Sequence, residues 1–170
     1  MNQLKIKAFV DALREKFDLN AFPVSLEEFA KIAGVQIKYK DFDEDLSGFA
    51  YQKYGIKMIG VNSTDRPERQ RFTIAHELGH LFLHKQNTVT YDQEFMMFRD
   101  SHSKEGTDLK EIQANAFAAE LLMPEEVLRE KLIAMGGINI EDEKALESLA
   151  KDFKVSKTAI TVRLSSLYFS

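Results

Sequence analysis

The chain contains no cysteine. That excludes a disulfide framework, a thiol nucleophile and a thiolate metal site, so any metal must be held by His, Asp or Glu. It has no run of about 18 apolar residues, the length a membrane-spanning helix needs. Its first residues, MNQLKIKAFVDALREKF, lack an uninterrupted apolar stretch and a small-residue cleavage site. No secretory signal is expected there, and the expected location is cytoplasmic. A basic excess is also missing: 23 Lys and Arg stand against 27 Asp and Glu, for a net charge of −4. Proteins that grip phosphate backbones usually carry the opposite sign, so neither nucleic acid nor membrane is an expected partner. There is no internal repeat and no Pro- or Ser-rich linker.

What is present fits an ordinary soluble domain. The 170 residues are 44% hydrophobic and 29% charged, enough to bury a core in one domain without disulfides. Ile6, Phe9, Val10, Leu13 and Phe17 fall at helical spacing, which predicts a helix over 2–17. Ser25 and Glu28 form a capping box, and Val24 with Phe29 a hydrophobic staple, for a short helix that Gly34 ends. Residues 35–42 alternate as a strand. Residues 47–52 and 56–61 read as two strands of a hairpin turning at Lys53-Tyr54-Gly55, and the acidic patch Asp41 to Asp45 as a loop. Pro67 opens a long helix to about residue 85. Residues 86–107 are polar without clear periodicity, apart from the cluster Phe95 to Phe98. A second strong helix runs from about Asp108 to Met123 and stops at Pro124. Helices over 125–135, 142–152 and 156–167 follow, the last with Ser156 as its cap.

The chemistry concentrates in Arg71-Phe-Thr-Ile-Ala-His76-Glu77-Leu-Gly-His80-Leu-Phe-Leu-His84. HExxH on a helix sets its two imidazoles one turn apart and roughly 40° apart around the axis, close enough to share a zinc ion. Glu77 lies roughly 100° from His76, so it can reach a water at the metal without ligating it. The apolar flanks Phe72, Ile74, Leu78, Leu81 and Phe82 speak against an accidental match, because buried ionisable groups need partners. A catalytic zinc usually takes a third protein ligand. The longer pattern with a third histidine fails, since Leu83 and Gln86 stand where Gly and His would be. His84 sits one turn beyond His80, but three successive turns splay their side chains, and a role at the helix end is favoured. Glu111 on the second helix is the better candidate. Asn115, four residues on, shares its face and can orient a histidine. Glu120 lies roughly 180° from Glu111 and reads as a solvated or structural charge.

RFTIAHELGHLFLH followed by EIQANAFAAELLMP resembles the ImmA/IrrE family of zinc metallopeptidases. The hairpin with Ser47-Gly48 and Val61-Asn62, and the C-terminal stretch from Leu149 to Leu164, extend the resemblance over about residues 24–167. The resemblance implies an α+β fold: a small three-stranded sheet packed on several helices, a minimal zincin-like domain with a C-terminal helical pair. It implies His76, His80 and Glu111 as ligands of one Zn2+ per chain, and Glu77 as the general base. It also implies limited cleavage of a regulatory protein, typically a helix-turn-helix repressor controlling stress, phage or mobile-element genes. The expected organisation is one domain over 1–170, with N-terminal helices and sheet to 66, zinc-site helices over 67–124 and C-terminal helices beyond.

Weaker signals remain open. Tyr54, Arg71, Tyr91 and His102 are candidate donors to a developing oxyanion, and no spacing selects one. The strand over 56–61 or that over 47–52 could offer an edge to an extended substrate. Residues 145–167 read as helix, turn, helix, yet 141–170 hold five acidic and five basic side chains, which favours a structural or docking role over DNA binding. The rival reading from another class is a non-enzymatic repressor- or antitoxin-type binding module with a vestigial metal site; an intact Glu77 counts against it.

Overall fold

Seven helices and four strands are placed among the described residues of a computed structural model, which are 1–42, 46–84, 96–98, 106–140 and 142–168. The architecture is α+β. Helix α1 spans Gln3–Lys16, with Asn2 accepting from the Lys5 amide as its cap and Ile6, Val10 and Leu13 on the buried face. Helix α2 spans Leu26–Ile32, capped where the sequence places the cap: Ser25 Oγ accepts from the Glu28 amide at 3.3 Å.

The three expected strands form a mixed sheet: β1 (Val35–Lys40), β2 (Gly48–Lys53) and β3 (Ile56–Asn62). A short β4 (Met96–Phe98) joins it, at the apolar cluster that the sequence sets apart from the otherwise aperiodic stretch 86–107 but does not assign as a strand. The order is β1-β3-β2-β4, with β1 parallel and β2 antiparallel to β3. This corrects the edge assignment. The 56–61 strand is interior, bonded on both sides, and β2 pairs with β4 across Phe49, Ala50 and Tyr51. Alternation alone could not show it, since it reports which face of a strand is buried and not which edge is paired.

Helix α3 (Pro67–Leu83) packs on β2 and β3, and α4 (Gly106–Leu122) packs on α3 and α1. The sheet comes close to α3 because Gly48 has no side chain: a Cβ there would lie 2.5 Å from Thr73 Cγ2 and 2.6 Å from the Gly60 carbonyl. Rings from four helices then fill the core. Phe29 stacks on Phe82 at 5.5 Å, Phe82 meets Phe117 at 6.2 Å, and Phe9 and Phe17 close the two ends.

Helices α5 (Glu125–Ala134), α6 (Glu143–Phe153) and α7 (Lys157–Tyr168) complete the chain. The turn between α6 and α7 is set by Lys154 in the left-handed region (φ 52°) and by Ser156, whose Oγ accepts from the Ala159 amide. A buried ion pair pins α7 to α4. Arg163 Nη2 lies 2.7 Å from Glu120 Oε2, both side chains are almost fully enclosed, and Arg163 Nε donates to the Met123 carbonyl at 3.2 Å. Arg163 is therefore not on offer to a phosphate, and Glu120 is structural. Burial pushes the Glu120 carboxyl up, and Arg163 opposes that shift.

Removing one partner of such a pair strands the other charge, whereas replacing both with apolar groups costs little. Arg163→Met should destabilise the fold by about 3–5 kcal/mol, and adding Glu120→Leu should recover most of it. A carboxyl raised in the folded state favours folding when protonated. The deficit of the single variant should therefore shrink as the pH falls toward the unfolded carboxyl pKa of about 4.3. Denaturant unfolding of both variants at several pH values checks all three outcomes. A single variant as stable as the parent would refute the pairing.

Candidate metal centre

The centre is built on the contact between α3 and α4. Gly79 faces Ala114, where an added Cβ would lie 3.1 Å from the Ala114 Cα and 3.2 Å from its carbonyl oxygen. Small residues on both helices let the backbones approach this closely, which brings Glu111 and Asn115 within reach of His76 and His80. The four side chains meet over one helical turn on each partner, because both pairs are spaced i, i+4.

Three donor atoms converge. His76 Nε2 and His80 Nε2 are 3.0 Å apart, and Glu111 places Oε2 at 3.1 Å from the first and Oε1 at 3.1 Å from the second. Among the described residues this is a group of His, Asp or Glu side chains compact enough to hold an ion. Ligands at zinc–nitrogen and zinc–oxygen distances of about 2.0–2.1 Å in a tetrahedral site stand about 3.3 Å from one another. The observed triangle fits that spacing with a small contraction.

The donor set fits a cation in its protonation as well. Asn115 Oδ1 lies 2.9 Å from His76 Nδ1. A side-chain amide oxygen can only accept, so Nδ1 carries the proton and Nε2 presents a bare lone pair. Contacts with His76, then His80, hold the Glu111 carboxyl well below the usual carboxylate range, against the opposing effect of burial. It is anionic at neutral pH. The two imidazoles are 1% and 4% exposed, so the site is closed to bulk water on the histidine side. Glu77 follows His76 on the same helix and is equally buried, at 2%.

The remaining candidates fall elsewhere. His84 closes α3 and its Nε2 donates to the Lys110 carbonyl at 3.2 Å, tying the end of α3 to the start of α4. Burial lowers its pKa, so it is neutral there. Arg71 Nη2 donates to the Val24 carbonyl at 2.7 Å, which directs it to the loop before α2. Tyr54 sits at the hairpin tip in the left-handed region, 84% exposed. Tyr91 and His102 lie outside the described residues. The role of Asn62, which the sequence reading placed only at the end of the hairpin, emerges from the structure. Asn62 is 2% exposed, donates to the Leu46 carbonyl at 3.0 Å and accepts from the Thr64 amide at 3.1 Å, so it fixes the loops that lead into α3. Its signal was a polar residue closing an otherwise apolar strand end.

A closed donor triangle on an HExxH helix, on an α+β scaffold of this size, is the arrangement of a metallopeptidase domain. The profile of the IrrE N-terminal-like domain, a peptidase family, matches residues 30–165, and the chain belongs to that family. It is 37% identical over 109 residues to the radiation response metalloprotease IrrE of Deinococcus radiodurans, covering 64% of this chain and 30% of that protein. It is 36% identical over 101 residues to the metallopeptidase ImmA of Bacillus subtilis, covering 57% and 55%. An uncharacterized immunity region protein 2 of Bacillus phage phi105 is 28% identical over 123 residues, covering 72% and 71%. A solved Mycobacterium tuberculosis transcriptional regulator shares the fold, with a TM-score of 0.65 at 15% identity over 95% of this chain and 46% of that one. The aligned stretch spans 30–36% of the length of the two Deinococcus relatives. Among the described residues no helix is long and apolar enough to cross a membrane.

Two substitutions test the centre by metal content. Glu111→Ala should abolish stoichiometric binding of a divalent metal in elemental analysis of the purified chain. Asn115→Ala should keep the ligands but weaken affinity by about 10–100-fold, the usual effect of losing a histidine's outer partner. Retention of full metal by Glu111→Ala would remove it from the site.

Proposed function

We propose that the chain is a zinc-dependent endopeptidase that makes limited, site-specific cuts in a regulatory protein of the helix-turn-helix repressor class. The observation that carries the reading is the convergence of His76, His80 and Glu111 beside Glu77. In this reading the first three hold one Zn2+ and Asn115 orients His76. Two imidazoles and one carboxylate suit zinc among the divalent ions. The regulatory substrate is supported by the relatives' names, one for a radiation response and another for a phage immunity region. Soluble partners of that kind are consistent with a net charge of −4 and with the absence of an apolar spanning helix among the described residues.

Zinc bound there would acidify a water and polarise the scissile carbonyl. The work of the chain's own residues follows from their places. Glu77 accepts the proton of the attacking water at its carboxylate and returns it to the leaving amine. Its burial keeps competing water from the proton path. Asn115 keeps the proton of His76 on Nδ1, away from the reacting face. The anionic Glu111 offsets part of the charge that the centre gathers.

Replacing Glu77 by Gln keeps shape and polarity but removes the base. Co-expression with candidate repressors should give fragments with the parent chain. Glu77→Gln should lower the cleavage rate by about 10²–10⁴-fold, with zinc content unchanged and the uncut repressor still co-purifying. Repressor capture without cleavage by the metal-loaded parent would favour the non-enzymatic binding module.

A further inference from the structure

We infer that the groove between the start of α3 and the α6–α7 pair is a docking site for an acidic, amphipathic segment of the protein substrate; the substrate role itself rests on the peptidase reading above. The groove measures about 1060 Å³, at or above the upper end of the roughly 300–1,000 Å³ of small-ligand clefts. A polypeptide segment matches it better than a metabolite. Its floor is apolar, made by Phe72, Ala116, Ala119, Met123, Val155 and Val162. Val162 is 64% exposed, a large apolar side chain presented to the opening.

Its rim carries the sign opposite to that of the whole chain. Seven Lys and Arg line the groove against two Glu, in a protein whose net charge is −4. Two of the seven are committed elsewhere: Arg163 to Glu120 and Arg71 to the Val24 carbonyl. Lys157 meets Glu143 at 3.1 Å, and Arg69 Nε donates to Ser47 Oγ. Arg66, Lys151 and Lys154 are exposed and make no ion pair among the described residues. Like charges around a concavity repel one another and focus the field inward, which attracts an anionic partner. A peptide with Leu- or Ala-rich and Glu- or Asp-rich faces satisfies floor and rim together.

The groove also reaches the candidate metal centre from behind. Asn115 lies in its wall and bonds His76, and Phe72 on its floor sits 6.4 Å from the His76 ring. A segment held there would raise the effective concentration of the rest of the substrate at the centre. Duplex DNA fits poorly, because a reading helix must project into a groove about 12 Å wide. The α7 face that carries Thr158, Val162 and Ser166 is instead the wall of a concavity.

The test uses fluorescence anisotropy with the purified parent chain. The probes are a labelled helical peptide of about 18 residues with a Leu/Ala face and a Glu face, its Lys counterpart, and a labelled DNA duplex of about 20 base pairs. The acidic peptide should bind saturably, at least about tenfold tighter than the Lys peptide, and weaken at least about tenfold between about 50 and 500 mM salt. The double variant Arg66→Glu/Lys151→Glu should lose at least about tenfold for the acidic peptide. Val162→Glu, which reverses the floor instead of the rim, should lose a comparable factor. Thermal unfolding checks that both variants are folded. Unchanged acidic-peptide binding in the folded variants, an absence of salt dependence, or duplex binding abolished by the same substitutions would each overturn the docking site. Metal content and cleavage by the parent are read separately. A chain that cuts but ignores the acidic peptide loses only the docking site, and one that binds it without holding metal loses only the peptidase reading.

Discussion

The approach of α3 to α4 at Gly79 and Ala114 is the constraint on which the rest depends. A Cβ on residue 79 would press on the backbone of the neighbouring helix, not on the yielding end of a side chain. Alanine is the better helix former by about 1 kcal/mol, so glycine is kept there against local propensity. The return is distance. With the helices this close, the short reach of Glu111 and Asn115 is enough to meet two imidazoles that are themselves fixed one turn apart. Anything that wedges the helices apart at this contact moves the carboxylate away from the histidines.

Helix α4 then works in opposite directions. Its Glu111 and Asn115 face α3, while Glu120, roughly half a turn away around the axis, faces α7 and takes Arg163. A buried charge pair of this kind adds little net stability, but it specifies one docking geometry. The metal helices and the C-terminal pair are held in register by one helix that is anchored on both faces. The aromatic chain from Phe17 through Phe29, Phe82 and Phe117 to Phe9 fills the space between α1, α2 and the same two helices.

Much of this was legible in the residues. The HExxH spacing placed His76, Glu77 and His80 on one helix, and the i, i+4 relation of Glu111 and Asn115 pointed both at one neighbour. The caps at Ser25 and Ser156 and the α+β pattern could be read from local chemistry, because capping and periodicity are short-range. Strand pairing is long-range, so alternation did not reveal that 56–61 is interior or that Met96–Phe98 adds to β2. In the sequence alone, Lys157 and Arg163 are the only cations that the second helix of the 145–167 pair could offer to phosphates. Only the separation of Arg163 by 43 positions from Glu120, closed by the fold, shows it as half of a buried pair. Tyr54 and Arg71 illustrate the same limit. Their residue types suit an oxyanion donor, but turn geometry fixes one at an exposed tip and a backbone carbonyl claims the other.

The charge distribution connects these levels. On the proposed reading, a peptidase of narrow specificity must discriminate between substrates whose scissile bonds look alike, and a candidate centre of three donor side chains has few contacts with which to do so. Specificity then has to come from surface away from the reacting bond. In this chain the overall charge is negative and uncommitted cations gather around one apolar groove. The groove shares Asn115 with the candidate centre. The residue that sets the His76 tautomer thus also lines the surface where a partner would rest, so a segment seated against Asn115 would press on the hydrogen bond that orients a ligand. Such a contact would couple binding in the groove to metal affinity through one side chain, and the coupling would be reciprocal: the factor by which a seated segment changes metal affinity is the factor by which the metal changes binding of the segment.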